Sequence, residues 1–312
     1  MAQQRYVLLV SNVRREEALS ATLETATLLA GAGIVPVMTD NELDELSQWA
    51  AQQNNELRCA VIKTLGKDVH VADLELTMVL GGDGTILKAA DVVRSENVPV
   101  LGINLGHVGF LAESERDGLR DAVDRVVAKD YSVVERLTLD VNVFVDGKSV
   151  YASWALNECT VEKSAAEKML QLVVEVDDRP LSGFGADGIV MSTPTGSTAY
   201  AFSAGGPVVW PNVEAMLLVP ISAHALFARP LVIGPQSSMA VEVSTDSSGH
   251  GVLWCDGRRT TTLPLGARVE VRRSAESVRL ARFREAPFTD RLVKKFALPV
   301  TGWRGKSAKA GN

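Results

Sequence analysis

The sequence predicts an α/β N-terminal domain with a Rossmann-like parallel sheet, joined to a C-terminal all-β, β-sandwich-like domain. Three observations lead there. Over roughly the first 130 residues, strand-like and helix-like segments alternate, the pattern of a parallel sheet covered by helices. From about residue 136 the apolar period drops to two, as in half-buried antiparallel strands. A length of 312 residues also suits two domains better than one.

The first strand is the apolar run Tyr6–Val10. A helix follows over Glu16–Ala30, with Leu19, Leu23, Ala26 and Ala30 on one face, and Gly31-Ala32-Gly33 ends it. Ile34–Met38 is the second strand; residues 41–57 read equally as helix or irregular chain. Thr77–Leu80 is a strand running straight into Gly81, and Ile86–Arg94 is a helix. Val98–Ile103 is a further strand, and Asn104–Gly109 is a glycine-spaced loop. Ser114 and Asp117 resemble a capping box for a helix bearing Leu119, Val123 and Val126. Beyond Tyr131–Arg136, Leu137, Leu139, Val141, Val143 and Val145 alternate up to an Asp146-Gly147 hairpin turn. Leu170–Val176, Val252–Cys255 with Asp256-Gly257, Arg268–Arg273 and Val278–Phe283 continue the β pattern. The expected domains are therefore 1–135 and 136–285, with 286–306 packing back on the first and 307–312 a disordered tail.

Composition narrows the function. The chain is 46% hydrophobic and 22% charged, with a formal net charge of -6, which leaves no basic field for general nucleic-acid binding. It has neither an apolar run long enough to span a membrane nor a secretory leader pattern, so no membrane association is expected. Cys59, Cys159 and Cys255 are dispersed and form no CxxC, which predicts core residues in a reducing cytoplasm rather than disulfides or a zinc site. His70, His107, His224 and His250 form no metal-ligand spacing, so no protein residue is assigned to a metal; His107, in the glycine loop, is a candidate ligand contact.

Three segments carry chemistry. In Gly81-Gly82-Asp83-Gly84-Thr85 a strand ends, glycines turn the chain and a helix begins. Glycines let main-chain N–H groups approach a ligand, and a helix N-terminus favours phosphate. Asp83 would repel that phosphate unless it meets a metal or a hydroxyl, so the turn reads as a place where phosphate and a proton donor come together. It is not a Walker A loop, and neither Gly31-Ala32-Gly33 nor Gly102, Gly106 and Gly109 has dinucleotide-fingerprint spacing. The second segment, Gly185 to Tyr200, is dense in glycine and hydroxyl side chains suited to sugar and phosphate contacts, with Ser197 or Thr195 able to cap a helix over Ser197–Ala204. In the third, Asn157-Glu158, an amide beside a carboxylate can bind a ribose diol or a base edge.

In their order and spacing these segments resemble the NAD kinase family, and the likeness extends from about Tyr6 to Trp303. Ser192 to Pro207 and Pro220 to Leu226 are the most family-specific stretches, and Ala201 to Gly206 with Leu298 to Trp303 resemble actinobacterial members. The resemblance implies transfer of a phosphoryl group from ATP, or inorganic polyphosphate, to the adenosine 2′-hydroxyl of NAD. It implies Asp83 as proton acceptor and NAD contacts from Asp83, Gly84, Lys88, Asn157, Glu158, Lys168, Asp187 and the run Thr198, Ala199, Tyr200, Ala201, Phe202, Ser203. Gly81, Gly82, Gly84 and Thr85 form the phosphate-binding turn. A divalent cation, Mg²⁺, is implied with the donor, and a homodimer or homotetramer through the β-rich domain. Gly185 departs from the pattern, since many relatives carry a cation there. Other kinases of lipids or sugar phosphates share a GGDG-like turn, and a non-catalytic NAD-binding protein is a further alternative.

Overall fold

Short apolar segments that end in turn residues form the parallel strands of the first sheet. The structure, a computed structural model, describes residues 4–54, 61–106, 109–112, 114–115 (main chain only), 118–164, 169–283 and 287–300. Strands β1 (Arg5–Ser11), β2 (Ile34–Met38), β3 (Lys63–Thr64), β4 (Leu76–Leu80) and β5 (Val100–Asn104) pair in the order β3-β2-β1-β4-β5, all parallel. β4 and β5 are buried at every position, as a sheet covered on both faces requires. The covering helices are α1 (Glu16–Gly31), α2 (Asp40–Gln52), α3 (Asp83–Val93) and α4 (Leu119–Ala128). Leu19, Leu23 and Ala26 of α1 and Leu119, Val123 and Val126 of α4 join the core beneath them.

Several expectations need correction. The ambiguous stretch after residue 40 is helical, because Leu46 and Ala50 reach the core. Helix α3 starts at Asp83 rather than Ile86, with Gly82 as its N-terminal cap residue. Ser114 caps no helix: Ser114–Glu115 is a short strand, β6, beside β5, and α4 is preceded by Gly118. Asp117 and 307–312 lie outside the described residues.

The chain divides into two units. One comprises Met1–Val134 and Arg279–Asn312, the other Glu135–Val278. The second contains two six-stranded antiparallel sheets. One holds β10 (Glu158–Lys163), β13 (Gly188–Ser192), β14 (Met216–Ile221), β15 (Leu231–Ile233), β17 (Gly251–Cys255) and β18 (Arg259–Leu263). The other holds β8 (Leu139–Val145), β9 (Lys148–Ala155), β11 (Leu170–Val176), β12 (Arg179–Ala186), β16 (Ser238–Val243) and β19 (Arg268–Arg273). Inward residues of both, among them Val141, Leu172, Val241, Ile189 and Leu253, form one core, as in a β-sandwich. The turns Asp146-Gly147 and Asp256-Gly257 both have positive φ at each residue, the geometry that joins twisted antiparallel strands. Cys159 and Cys255 face each other across β10 and β17 as buried free thiols.

The segment Val278–Phe283, expected in the β-rich domain, joins the first sheet instead, and from Arg279 onward it belongs to the first unit. As β20 (Val278–Arg282) it pairs parallel with β5 and lies next to β7 (Ser132–Arg136). Alternation reports which side chains are buried, not which sheet a strand joins. The last helix, α6 (Phe288–Phe296), also belongs to the first unit.

Arg5 braces the first sheet. Its guanidinium donates to both oxygens of Glu75 at 2.7 and 2.6 Å and to the carbonyls of Val127 and Val126 at the end of α4. Burial pushes the Glu75 carboxyl up, but Arg5 and Lys129 outweigh it and hold it below the usual carboxylate range. With a depressed folded value, this stabilisation is complete above the unfolded value of about 4.3 and is lost as pH falls through the folded one. Arg5→Met should therefore cost about 2 kcal/mol in urea unfolding at neutral pH, and much less at about pH 3. An equal loss at both pH values would rule out the ion pair as its source.

Candidate functional site

The strand order reverses between β1 and β4, where a doubly wound sheet opens a crevice at its carboxyl edge. β4 delivers Gly81 there. The Gly81 N–H donates to the Ile103 carbonyl at 3.0 Å, tying the turn to β5. A Cβ on Gly81 would lie 3.0 Å from the Thr85 Cβ, so a side chain there would crowd Thr85 in the turn. Asp83, Gly84 and Thr85 form the first turn of α3, where main-chain N–H groups lack helical partners. The Thr85 N–H is used internally, on the Gly82 carbonyl at 2.9 Å. Gly82 and Gly84 are exposed and Asp83 is half-buried. Both Asp83 oxygens are held: Oδ2 accepts from the Phe110 N–H at 3.0 Å and Oδ1 from the Leu111 N–H at 3.1 Å.

Lys88 lies further along the same helix. Its ammonium contacts Oε1 of Glu42 at 2.6 Å. Glu42 is buried and also accepts from the Thr39 hydroxyl at 2.9 Å and the Ser11 N–H at 3.3 Å. Lys88 is therefore half of an ion pair with part of its side chain exposed, and Glu42 fixes its direction.

In the second unit the Asn157-Glu158 main chain is held by a residue that the sequence marked only as a turn. Asp256 accepts from the N–H groups of Leu156 (2.9 Å), Asn157 (2.7 Å) and Glu158 (3.3 Å), and from Arg259 at 2.8 Å. Arg259 in turn stacks over the Trp154 ring, 4.3 Å from its centroid. From the other side, the Ser192 hydroxyl and the Thr193 N–H donate to the Asn157 carbonyl, and the Thr193 hydroxyl donates to the Leu156 carbonyl. A Cβ on Gly196 would fall 2.4 Å from the Asn157 carbonyl carbon, so only glycine lets the two segments meet. The pair and the Ser-Thr-Pro-Thr-Gly-Ser-Thr segment thus form one knot.

Glu158 points into it. Burial pushes its carboxyl up to about 8, with the Asp256 charge adding to the shift and a Tyr200 main-chain hydrogen bond opposing it. Its Oε2 is buried and has no hydrogen-bond partner among the described residues. Burial also pushes Asp256 up, against its amides and Arg259.

Thr198 and Ala199 are half-buried, whereas Tyr200, Phe202 and Ser203 are exposed. Ala201 is fully buried against Val190, Val209, Leu217 and Val219, so its side chain is an anchor and lines no surface. The expected helix over Ser197–Ala204 is a 3-10 turn at Gly196–Thr198 followed by α5 (Tyr200–Ser203). Neither Thr195 nor Ser197 caps it: the Ser197 hydroxyl donates to the Pro194 carbonyl and accepts from the Val209 N–H instead. Asp187 pairs with Lys163 at 2.8 Å, a contact that holds its carboxyl below the usual range. At Gly185 a side chain would have to displace that of Met169, whose Cγ would lie 3.0 Å from its Cβ; near Asp187 the positive charge comes from Lys163. Lys168 and His107 lie outside the described residues. Asp83, Gly84, Thr85 and Lys88 thus belong to the first unit, and Asn157, Glu158, Asp187 and the 198–203 run to the second.

The comparisons with known proteins agree with one another. The family model of the ATP-NAD kinase N-terminal domain matches residues 7–131, and that of the C-terminal domain matches 156–283. The NAD kinase of Leifsonia xyli is 59% identical over 309 residues, covering 99% of this chain and all of that one. The NAD kinase of Mycobacterium tuberculosis is 50% identical over 309 residues, covering 98% and 100%. Among solved structures, yeast NADH kinase complexed with NADH superposes with a TM-score of 0.85 at 23% identity, over 98% of this chain and 91% of that one. An Archaeoglobus fulgidus NAD kinase in complex with ATP gives 0.62 at 21%, over 94% and 100%. At these identities the two structures speak for the fold alone.

The elevated Glu158 value has a definite consequence. The native state keeps this proton from about pH 4.3 to about 8 while the unfolded chain has lost it, so stability falls as pH rises through that window. Glu158→Gln should melt progressively higher than the parent as pH rises across it, with the two converging near its acidic end. A difference in melting temperature that does not change with pH would show that Glu158 is ionised when folded. Asp256→Ala, which strands three main-chain N–H groups, should cost about 3 kcal/mol in urea unfolding. A loss below about 0.5 kcal/mol, ordinary for a surface change, would show that the turn holds without it.

Proposed function

We propose that this chain, which belongs to the NAD kinase family, phosphorylates the adenosine 2′-hydroxyl of NAD to give NADP. The observation that carries this is the Asp83 carboxylate, held by two main-chain N–H groups at the N-terminus of α3, in a chain that matches both family domains. Each Asp83 oxygen accepts one bond from the protein and retains a lone pair for a substrate hydroxyl. A carboxylate is a weak base toward a sugar alcohol, but phosphoryl transfer passes through a loose transition state in which the nucleophile gives up its proton late. Asp83 orients the hydroxyl and takes that proton. The N–H groups at the start of α3 stabilise the charge on the transferring phosphoryl.

Recognition of NAD is assigned to Asp83, Gly84 and Lys88 and to Asn157, Glu158, Asp187, Thr198, Ala199, Tyr200, Phe202 and Ser203, with Ala201 anchoring that run from the core. Support in the second unit comes from the knot that fixes the Asn157-Glu158 main chain, and from the unpartnered, buried Oε2 of Glu158. A protonated Glu158 can donate to a ligand oxygen. ATP is the donor, with inorganic polyphosphate a second donor of the same chemistry. Among the described residues no three His, Cys, Asp or Glu side chains are grouped to chelate a metal. A divalent cation, Mg²⁺, is assigned with the phosphoryl donor, whose charge it would neutralise. No helix of the described residues is long and apolar enough to cross a membrane. The reading of a cytoplasmic enzyme rests on the free thiols of Cys159 and Cys255. Assembly as a homodimer or homotetramer is supported by exposed Leu226, Phe227 and Val232, the last on the edge strand β15.

The test is NADP formation from NAD with ATP or polyphosphate, with and without Mg²⁺, beside diacylglycerol and fructose 6-phosphate as rival acceptors. NADP alone should form. Asp83→Asn should retain NAD binding by calorimetry and lose about 100-fold or more in turnover. Near-parental turnover in that variant would remove Asp83 from the chemistry, and NAD binding with no NADP under any condition would make the protein a non-catalytic binder.

A further inference from the structure

The two N–H groups that hold Asp83 come from the loop Gly109–Ala112, and that loop is itself held from behind. Arg291, on α6, donates from Nη1 to the carbonyls of Phe110 at 2.8 Å and Ala112 at 2.9 Å. On the same helix Phe288 and Phe296 pack against the Phe110 ring, with centroids 6.0 and 5.8 Å away. On its other side the loop meets β5, where a Cβ on Gly102 would lie 3.0 Å from the Ala112 Cα. Gly109 abuts the carboxylate directly: a Cβ there would lie 2.8 Å from the carboxyl carbon of Asp83.

The geometry of one peptide unit joins these contacts. The Phe110 carbonyl and the Leu111 N–H belong to the same planar, trans peptide, so they point in opposite directions and turn together. Arg291 holds the carbonyl end, and Asp83 Oδ1 receives the N–H end. A cation on the carbonyl also polarises the amide and makes its N–H a stronger donor. Arg291 therefore acts on Asp83 through a single rigid plane, although the two residues are far apart in sequence.

We propose that Arg291 is a positioning residue for phosphoryl transfer, fixing the orientation of the Asp83 carboxylate through the Phe110–Leu111 peptide. The inference rests on the reading of Asp83 as proton acceptor. α6 then belongs to the catalytic apparatus by mechanical backing rather than by touching substrate.

Steady-state kinetics on the full-length protein test it. Arg291→Met should lower kcat by roughly 10- to 100-fold while the KM for NAD changes less than about threefold, the signature of misplaced chemistry rather than lost binding. Arg291→Lys, which keeps the charge and one donor to the carbonyls, should recover part of the loss. In an Asp83→Asn background, adding Arg291→Met should change the residual turnover by less than about twofold, because the two residues act as one unit. Gly109→Ala, which leaves α6 untouched and pushes on the carboxylate from the loop side, should also lower kcat with KM preserved. It carries the test if circular dichroism shows that Arg291→Met does not fold. Parental kcat in a folded Arg291→Met, an unchanged kcat in Gly109→Ala, or an equal loss with and without Asp83 would each overturn the inference while leaving the acceptor role of Asp83 intact. Near-parental turnover in Asp83→Asn alone would overturn that role and the inference with it.

Discussion

Parallel strands bring all their carboxyl ends to one edge of a sheet, and the chemistry of the first unit depends on that constraint. β4 and β5 are neighbours, so the turn after one and the loop after the other emerge side by side. The first supplies Asp83 at a helix N-terminus; the second supplies the amides that hold it. Glycine recurs along this edge because backbone approaches side chain more closely than a Cβ permits, at Gly81 against Thr85 and at Gly109 against Asp83. Burial of β4 and β5 on both faces makes the platform stiff, and a stiff platform suits a carboxylate held in one orientation by two amides.

The second unit solves a different problem with related means. Here the main chain that is held in place is an irregular corner between β9 and β10, with no helix to organise it. A buried carboxylate, Asp256, gathers three successive N–H groups of that corner, and Thr193 and Ser192 fix its carbonyls. Burying Asp256 costs desolvation that Arg259 and the amides offset only in part, and the same low-polarity surroundings push Glu158 up. One carboxylate organises the corner while its neighbour stays protonated at neutral pH, a division of labour set by environment alone.

Much of the first sheet was legible in the sequence because buried parallel strands are short apolar runs ending at glycine, as in Thr77–Leu80 before Gly81. The NAD kinase segments were legible for a similar reason: chemistry that needs bare backbone leaves runs of glycine and hydroxyl residues. What stayed hidden depends on contacts distant in sequence. Asp256 looked like any Asp-Gly turn, and only the fold brings its carboxylate to Asn157. Glu42, Lys163 and Arg291 are single charges whose partners lie far along the chain or on another strand. β20 was assigned to the wrong sheet because alternation carries no address, and Ser114 resembled a cap because capping residues are also common in loops. Gly185 hinted at a missing cation, but nothing in its neighbourhood of sequence pointed to Lys163 as the local charge.

The return of β20 and α6 to the first unit bears on how the protein is born. A ribosome releases the chain from its N-terminus, and domains tend to fold as they emerge. The second unit is continuous, Glu135–Val278, and can fold while the rest is still being made. The first unit, although begun earlier, lacks the strand beside β5 and the helix behind Phe110 until the segment after the second unit has been synthesised. The domain started first is thus finished last. Until then the nascent chain holds an incomplete sheet edge and a carboxylate without its backing, so the turn matures only after the β-rich unit has been made.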